Sequence, residues 1–152
     1  SECEITETLR NGQIQWQPIK RQTPGDFTNV EHALDIDLHP DINHLFGCYY
    51  SGEVDFTFDH NGNSGPVTLL QVWNDEDFAN LQQNMIGHIM MKRQLKQPVT
   101  LFFALTDEED KIISLLNDSG EVWLESVGQQ PHLKLADSVA EFLSLLKIPG
   151  QV

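Results

Sequence analysis

One segment, Asn74 to Pro98 (NDEDFANLQQNMIGHIMMKRQLKQP), carries the signals of a long amphipathic helix. Asn74 is a favourable N-cap, and the acids that follow it suit the positive end of the helix dipole. Lys92, Arg93 and Lys96 suit the negative end. Pro98 ends the segment because proline supplies no backbone N–H. Apolar residues at helical spacing predict the buried stripe, which consists of Phe78, Leu81, Met85 and Ile89.

Strand patterns lie on both sides of this helix. EVDFTF (53–58) alternates strictly, so Glu53 and Asp55 should face water while Val54 and Phe56 face the core. PVTLLQVW (66–73) follows a Gly/Asn-rich turn and predicts the partner strand of a hairpin. VTLFFAL (99–105) is an apolar run and predicts a central strand that is buried on both faces. KIISLLN and EVWLESV, joined by a DSG turn, predict a second hairpin.

Three shorter helices complete the predicted fold. NVEHALDI should form one, with Thr28 or Asn29 as its N-cap, and Pro40 should begin another. Ser138 and Glu141 have capping-box spacing, which predicts a C-terminal helix. Its inward residues should be Val139, Phe142, Leu143 and Leu146. Strands outnumber helices and pair mostly as hairpins, so we predict an α+β fold with an antiparallel-rich twisted sheet and helices packed on it. Its length predicts one domain, 1–152.

The charge is distributed unevenly along the chain. The formal net charge is −14, and residues 22–91 hold eleven acids and neither Lys nor Arg. Such a surface repels nucleic-acid phosphates and anionic lipid, so we predict neither nucleic-acid binding nor direct lipid insertion. A cationic partner is favoured, with association that weakens as salt rises. High solubility alone is the alternative explanation.

Motif searches give no support for an enzyme. There is no nucleophile elbow, phosphate-binding loop or dinucleotide fingerprint, and no apolar run is long enough for a membrane helix. Cys3 and Cys48 are too few for a disulfide scaffold, so a reducing cytoplasm is expected. Cys48 should be half-buried, and His88 should be a packed helix residue. We therefore predict no catalytic residues and no cofactor.

A metal site is the chemical alternative that the sequence offers. In DIDLHPDINH, Asp35, Asp37 and His39 would share one face of an extended segment, with Asp41 and His44 nearby. The spacing of the two histidines matches no helical ligand pair, and there is no His-Glu-x-x-His motif. We predict no metal, while a small metal-dependent hydrolase stays open as an alternative.

The chain resembles the Syd family, the bacterial SecY-interacting proteins. The resemblance is carried by VEHALDIDLHPDINHLFGCYYSGEVD, by the block from LLQVWNDEDF to GEVWLE, and by LADSVAEFLSLLK. In the family an additional N-terminal stretch precedes the part that matches SECEI, and we expect that stretch to be missing here. The chain also resembles the wider SUKH superfamily, whose members include immunity proteins that bind basic nucleases. Neutralising a basic nuclease toxin is therefore the alternative function.

The resemblance implies a binding protein with a concave acidic face. It would be cytoplasmic and would attach peripherally to the inner membrane by docking on SecY, the channel subunit of the translocon. Cytoplasmic loops of membrane proteins are rich in Lys and Arg, which suits an acidic partner. We expect a monomer. From the alternation of charges we take as partner-binding candidates Glu31, Asp35, Asp37, Glu53 and Asp55, and, as second choices already explained by helix capping, Asp75, Glu76 and Asp77.

Overall fold

The computed structural model describes residues 4–8, 14–16, 18–60 and 62–148. Four helices occur in these residues: α1 (Thr28–Leu34), α2 (Asp41–Phe46), α3 (Asp75–Gln94) and α4 (Val139–Ser144). The strands are β1 (Glu4–Thr8), β2 (Ile14–Trp16), β3 (Ile19–Lys20), β4 (Tyr49–Tyr50), β5 (Val54–His60), β6 (Asn63–Leu69), β7 (Thr100–Thr106), β8 (Lys111–Leu116), β9 (Val122–Ser126), β10 (Leu133–Ala136) and β11 (Leu146–Lys147). Cys3, and Asn61 of the predicted Gly/Asn-rich turn, lie outside the described residues.

Seven strands form one antiparallel sheet in the order β10-β9-β8-β7-β6-β5-β11. This confirms the predicted α+β class. The VTLFFAL segment becomes β7, the middle strand, as expected, although Leu105 near its end is 38% exposed. The two small sheets, β1-β2 and β3-β4, lie outside this main sheet. None of the helices in the described part of the chain is long and apolar enough to cross a membrane.

The sheet is strongly curled, and its apolar side chains form the core. Phe142 of α4 lies inside the curl, where its ring stacks on Phe58 of β5 and meets Phe103 of β7 edge-on. α3 packs against β7. A second aromatic cluster joins α3 to the loop before α1, because Phe27 meets Phe78 edge-on at 5.4 Å.

α3 confirms the strongest sequence prediction. The Asn74 side chain accepts a hydrogen bond from the backbone N–H of Asp77 at 2.9 Å, as an N-cap does. Met85 and Ile89 are fully buried. Lys92 lies in the last turn of α3, as its charge suggested, but it is completely buried. It lies three residues after Ile89, so helical geometry continues the buried stripe through it.

The C-terminal helix is shorter than predicted. Ser138 Oγ accepts a hydrogen bond from the Glu141 backbone N–H, so the predicted cap forms, but the helix ends at Ser144. Leu146, predicted to face inward from this helix, lies in β11 opposite Phe58, and Leu143 is 39% exposed. The backbone groups of residues 146–147 pair with the edge of β5, and they could not do so if the helix continued for another turn.

Three further features differ from expectation. β6 covers Asn63–Leu69 rather than residues 66–73, because the chain leaves the strand at Leu70. β10 was not predicted at all. α1 begins at Thr28 with Phe27 as its N-cap, so neither Thr28 nor Asn29 caps it; the Asp26 carboxylate accepts the Thr28 N–H instead.

Candidate functional site

The end of α1 creates a sharp turn that presents three of the predicted acids. Asp35 follows the last residue of α1 in the left-handed region, with φ of 50°, a conformation that Asp tolerates better than most residues. Its backbone N–H still donates to the carbonyl of Glu31. The Glu31 carboxylate in turn accepts the backbone N–H of Leu38 at 3.0 Å. The turn is therefore fixed from both sides of Asp35.

This turn borders an open surface cavity of about 310 Å³, which we call the acidic cavity. Glu31, Asp35 and Asp37 all line it, so the structure brings these three predicted residues together. The remaining lining residues are Thr28, His32 and Ile36. Neither Lys nor Arg is among them. Asp35 and Asp37 are exposed, so their carboxylates are available to a cationic group from outside.

Neighbouring elements hold the acidic cavity in place. Asn117, at the end of β8, donates through Nδ2 to the carbonyl of Asp37 at 2.9 Å and accepts the His39 N–H at 2.8 Å. On the other side, Arg93 of α3 donates to the carbonyl of Leu34 at 2.6 Å. A surface that is pre-ordered in this way loses less conformational entropy on binding.

Glu53 and Asp55 lie elsewhere. Both are exposed, as the alternation predicted, and Asp55 accepts a hydrogen bond from Thr68 Oγ1 of β6 at 2.7 Å. The Ser51 N–H, just upstream, donates to the carbonyl of Val72 at 2.9 Å. This contact places the start of β5 near the segment that leads into α3.

Two of the three acids in the first turn of α3 make contacts that hold the fold together. Asp77 accepts the backbone N–H of Trp73, and Asp75 accepts the hydroxyl of Tyr50 and pairs with Arg21 at 3.4 Å. The Arg21 guanidinium lies between the rings of Tyr50 and Phe78, 4.8 and 4.9 Å from their centroids. These contacts agree with the lower rank given to the acids. Glu76 is exposed.

The predicted residues therefore do not form one continuous groove. α3 has 20 residues and is about 30 Å long. The acidic cavity contacts its last turn through Arg93, whereas Asp75, Glu76 and Asp77 form its first turn. We define the α3 N-terminal surface as these three acids with Glu53 and Asp55. The two acidic surfaces lie towards opposite ends of the helix.

The residues considered for a metal do not converge. Asp41 Oδ2 is 3.7 Å from His39 Nδ1, and Asp41 Oδ1 is 3.6 Å from His44 Nδ1. These contacts join His39 and His44 to different oxygens of Asp41, and neither Asp35 nor Asp37 takes part in them. Among the residues that the structure describes, no group of three or more His, Cys, Asp or Glu side chains is arranged to hold a metal ion. The geometry gives the hydrolase alternative no support.

Sequence reasoning missed a buried polar network between α3 and the sheet. The Lys92 ammonium pairs with the Glu125 carboxylate, and both side chains are completely buried. Thr100 Oγ1 donates to Glu125 Oε2 at 2.6 Å, and His88 Nε2 lies 2.9 Å from the same hydroxyl. Because Thr100 has committed its only proton to Glu125, His88 must donate through Nε2–H. The spacing of Lys92 from Ile89 was the available signal.

We expect His88 to make stability depend on pH. Burial is the main cause that lowers its pKa, and Lys92 on the same helix acts in the same direction, while Glu125 of β9 partly opposes them. The unfolded chain then binds a proton near pH 6.5 where the folded protein does not. This contribution to the free energy of unfolding is complete above about pH 6.5 and is lost as the pH falls towards the lowered pKa.

The measurement is urea unfolding between about pH 5 and pH 7 for the wild type and for His88→Gln, which keeps an N–H donor but does not titrate. The wild type should lose more stability on acidification than the variant. Equal losses would show that His88 does not contribute. The other groups that face His88, namely Thr100 and Phe102 of β7, do not titrate in this range.

Comparison with known proteins gives a consistent result. The family model of the Syd protein (SUKH-2) matches residues 1–148. The chain is 50% identical over 133 residues to Protein Syd of Shewanella baltica strain OS155, which covers 88% of this chain and 60% of the relative. It is 56% identical over 120 residues to Protein Syd of Colwellia psychrerythraea, with 79% and 58% covered. The chain belongs to the Syd family. It spans about 60% of the length of these relatives.

Proposed function

We propose that this chain is a binding protein that docks on the basic cytoplasmic loops of SecY, the channel subunit of the protein-export translocon. It would act as a monomer at the cytoplasmic face of the inner membrane, in regulation or quality control of the channel. The observation that carries the proposal is the acidic cavity. Glu31, Asp35 and Asp37 line it together without a Lys or Arg. Membership of the Syd family supports the choice of partner.

The physical basis is selective electrostatic attraction. Loops on the cytoplasmic side of membrane proteins carry an excess of Lys and Arg, which the cavity carboxylates attract. The same charges are repelled by the anionic lipid around those loops. Attachment should therefore depend on the protein receptor rather than on the membrane surface.

We expect the chain to sediment with proteoliposomes that contain purified SecY translocon and not with protein-free anionic liposomes. Binding should weaken as salt rises, because exposed charges are screened over about 8 Å at physiological ionic strength. Equal sedimentation with protein-free liposomes would contradict the proposal. Tight capture of a basic nuclease, with no affinity for translocon, would favour the immunity alternative.

Matched charge variants then test the surface. Asp35→Asn with Asp37→Asn removes two carboxylates from the acidic cavity, and Asn tolerates the left-handed conformation at position 35. We expect binding to weaken at least about tenfold, since charge pairs at interfaces are worth more than about 1.4 kcal/mol when they are close. Glu53→Gln with Asp55→Asn makes the same charge change on the α3 N-terminal surface and reports whether that end also contacts the translocon.

The control is Glu109→Gln with Asp110→Asn. Both residues are exposed in the turn between β7 and β8 and neither lines the acidic cavity, and the variant makes the same change in net charge. It should bind as the wild type does. A loss equal to that of the Asp35/Asp37 variant would assign binding to net charge and not to the acidic cavity.

A further inference from the structure

A second cavity, which we call the sheet cleft, opens inside the curl of the main sheet. Its volume is about 270 Å³. Six strands contribute to it, from β5 to β10; a flat sheet would spread them over about 24 Å. Its apolar lining includes Phe58, Val67, Ile113, Leu124, Leu133 and Leu135. Thr106, Asp107 and Glu108, from the end of β7 and the turn after it, also line the cleft.

The absence of a side chain at Gly65 helps to keep the cleft open. Gly65 of β6 pairs with Phe58 of β5, so a side chain at position 65 would project to the same face as the Phe58 ring. A Cβ placed on Gly65 meets no atom within 4 Å. Val67 lies two residues further along β6 on the same face. Only 3% of its surface is exposed. Gly65 thus leaves an unfilled volume on this face of the sheet, whereas the side chain of Val67 fills the corresponding volume two residues further along.

The rim of the sheet cleft is acidic. Asp107 and Glu108 are both exposed and begin a turn of four consecutive acids, DEED. Lys111 follows this turn, and its ammonium lies 3.0 Å from the Glu108 carboxylate. This contact and its hydrogen bond raise the pKa of Lys111. The rim keeps an excess of negative charge beside an apolar floor.

We propose that the sheet cleft is a docking site for one apolar side chain from a basic segment of a partner protein. At about 270 Å³ it is smaller than the roughly 300–1,000 Å³ of cavities that hold drug-sized ligands, yet large enough for a bulky side chain. The acidic rim selects Lys or Arg beside that anchor and disfavours fatty acids or other anions. Anchors of this kind, seated in pockets, dominate protein–protein affinity. The inference does not depend on the identity of the partner proposed above.

The test uses two synthetic basic peptides that differ only in a central residue, leucine in one and serine in the other. Their binding is followed by methyl NMR of the wild-type chain. The leucine peptide should bind at least about tenfold more tightly and should shift the methyl signals of Val67, Leu124 and Leu133. Equal affinities, or shifts confined to other surfaces, would overturn the proposal. Failure of the translocon experiment would leave this result unaffected.

Two variants and a matched control make the test independent of any single change. Gly65→Leu fills the cleft in open space and should abolish the preference for leucine; Gly87→Leu, also in open space but on α3, is the matched control and should keep it. Asp107→Asn with Glu108→Gln should weaken both peptides and leave their ratio unchanged. If Gly65→Leu still prefers the leucine peptide, the cleft is not the site. If the methyl signals of the cleft do not shift on addition of either peptide because another part of this chain occupies the cleft, the proposal is equally overturned.

Discussion

Replacing Lys92 by Met should lower the free energy of unfolding by about 3–5 kcal/mol. The Lys92 ammonium and the Glu125 carboxylate are both completely buried between α3 and the sheet. Removal of the ammonium leaves a carboxylate without its counter-charge in an environment that solvates it poorly. Natural domains are stable by only about 5–15 kcal/mol, so this one change removes a large part of the total. Urea unfolding at neutral pH measures it.

Two comparisons separate the buried charge from other causes. Lys111→Met breaks the exposed pair with Glu108 and should cost far less, because water and salt screen such a pair. Lys92→Met with Glu125→Leu removes both buried charges, and the loss should be smaller than the sum of the two single losses. Additive losses would contradict the view that the two charges depend on each other.

Gly47→Ala should destabilise the protein by about 3 kcal/mol or more, at the upper end of overpacking costs. Gly47 ends α2, and its carbonyl accepts the backbone N–H of Gly25 at 2.8 Å. A Cβ on Gly47 would lie 2.2 Å from the Gly25 carbonyl oxygen and 2.6 Å from that of Asn43. Both are backbone atoms, so no side-chain rotation relieves the contact. The loop must move away from α2.

Gly87→Ala is the matched control with the opposite expected sign. Gly87 lies within α3, and a Cβ there meets nothing within 4 Å. Alanine in the interior of a helix is favoured over glycine by roughly 0.5–1 kcal/mol. Thermal unfolding should therefore show a lower midpoint for Gly47→Ala and a slightly higher one for Gly87→Ala. A Gly47→Ala protein as stable as the wild type would contradict the tight packing of the two loops.

Local patterns explain which elements were predictable. The cap at Asn74, the stripe through Met85 and Ile89, and the alternation around Asp55 depend on residues close in the chain, and the structure confirms them. The partner of Lys92 was not predictable, because Glu125 is reached only through sheet pairing and helix packing. β10 and β11 were missed for a related reason: they are short strands that form at the two edges of a sheet already assembled.

The candidate site shows the same division. The local run from Glu31 to Asp37 was sufficient to suggest neighbouring carboxylates, and the turn at Asp35 brings them to one cavity. Alternation also placed Asp55 on the wet face of its strand. The distance between these groups depends on where α1 and β5 lie along α3, which is a tertiary property. The sheet cleft, likewise, depends on strand register that no short window of sequence encodes.

The short β11 leaves part of β5 as a bare border of the sheet. β11 pairs with β5 only at Thr57 and Phe58, so among the described residues the outer side of Val54–Phe56 has no neighbouring strand. Such a border invites strands from other molecules to add to it, and charged side chains are a common defence. Glu53 and Asp55 stand at this position. Their negative charge therefore disfavours the addition of a strand from a second molecule at this border.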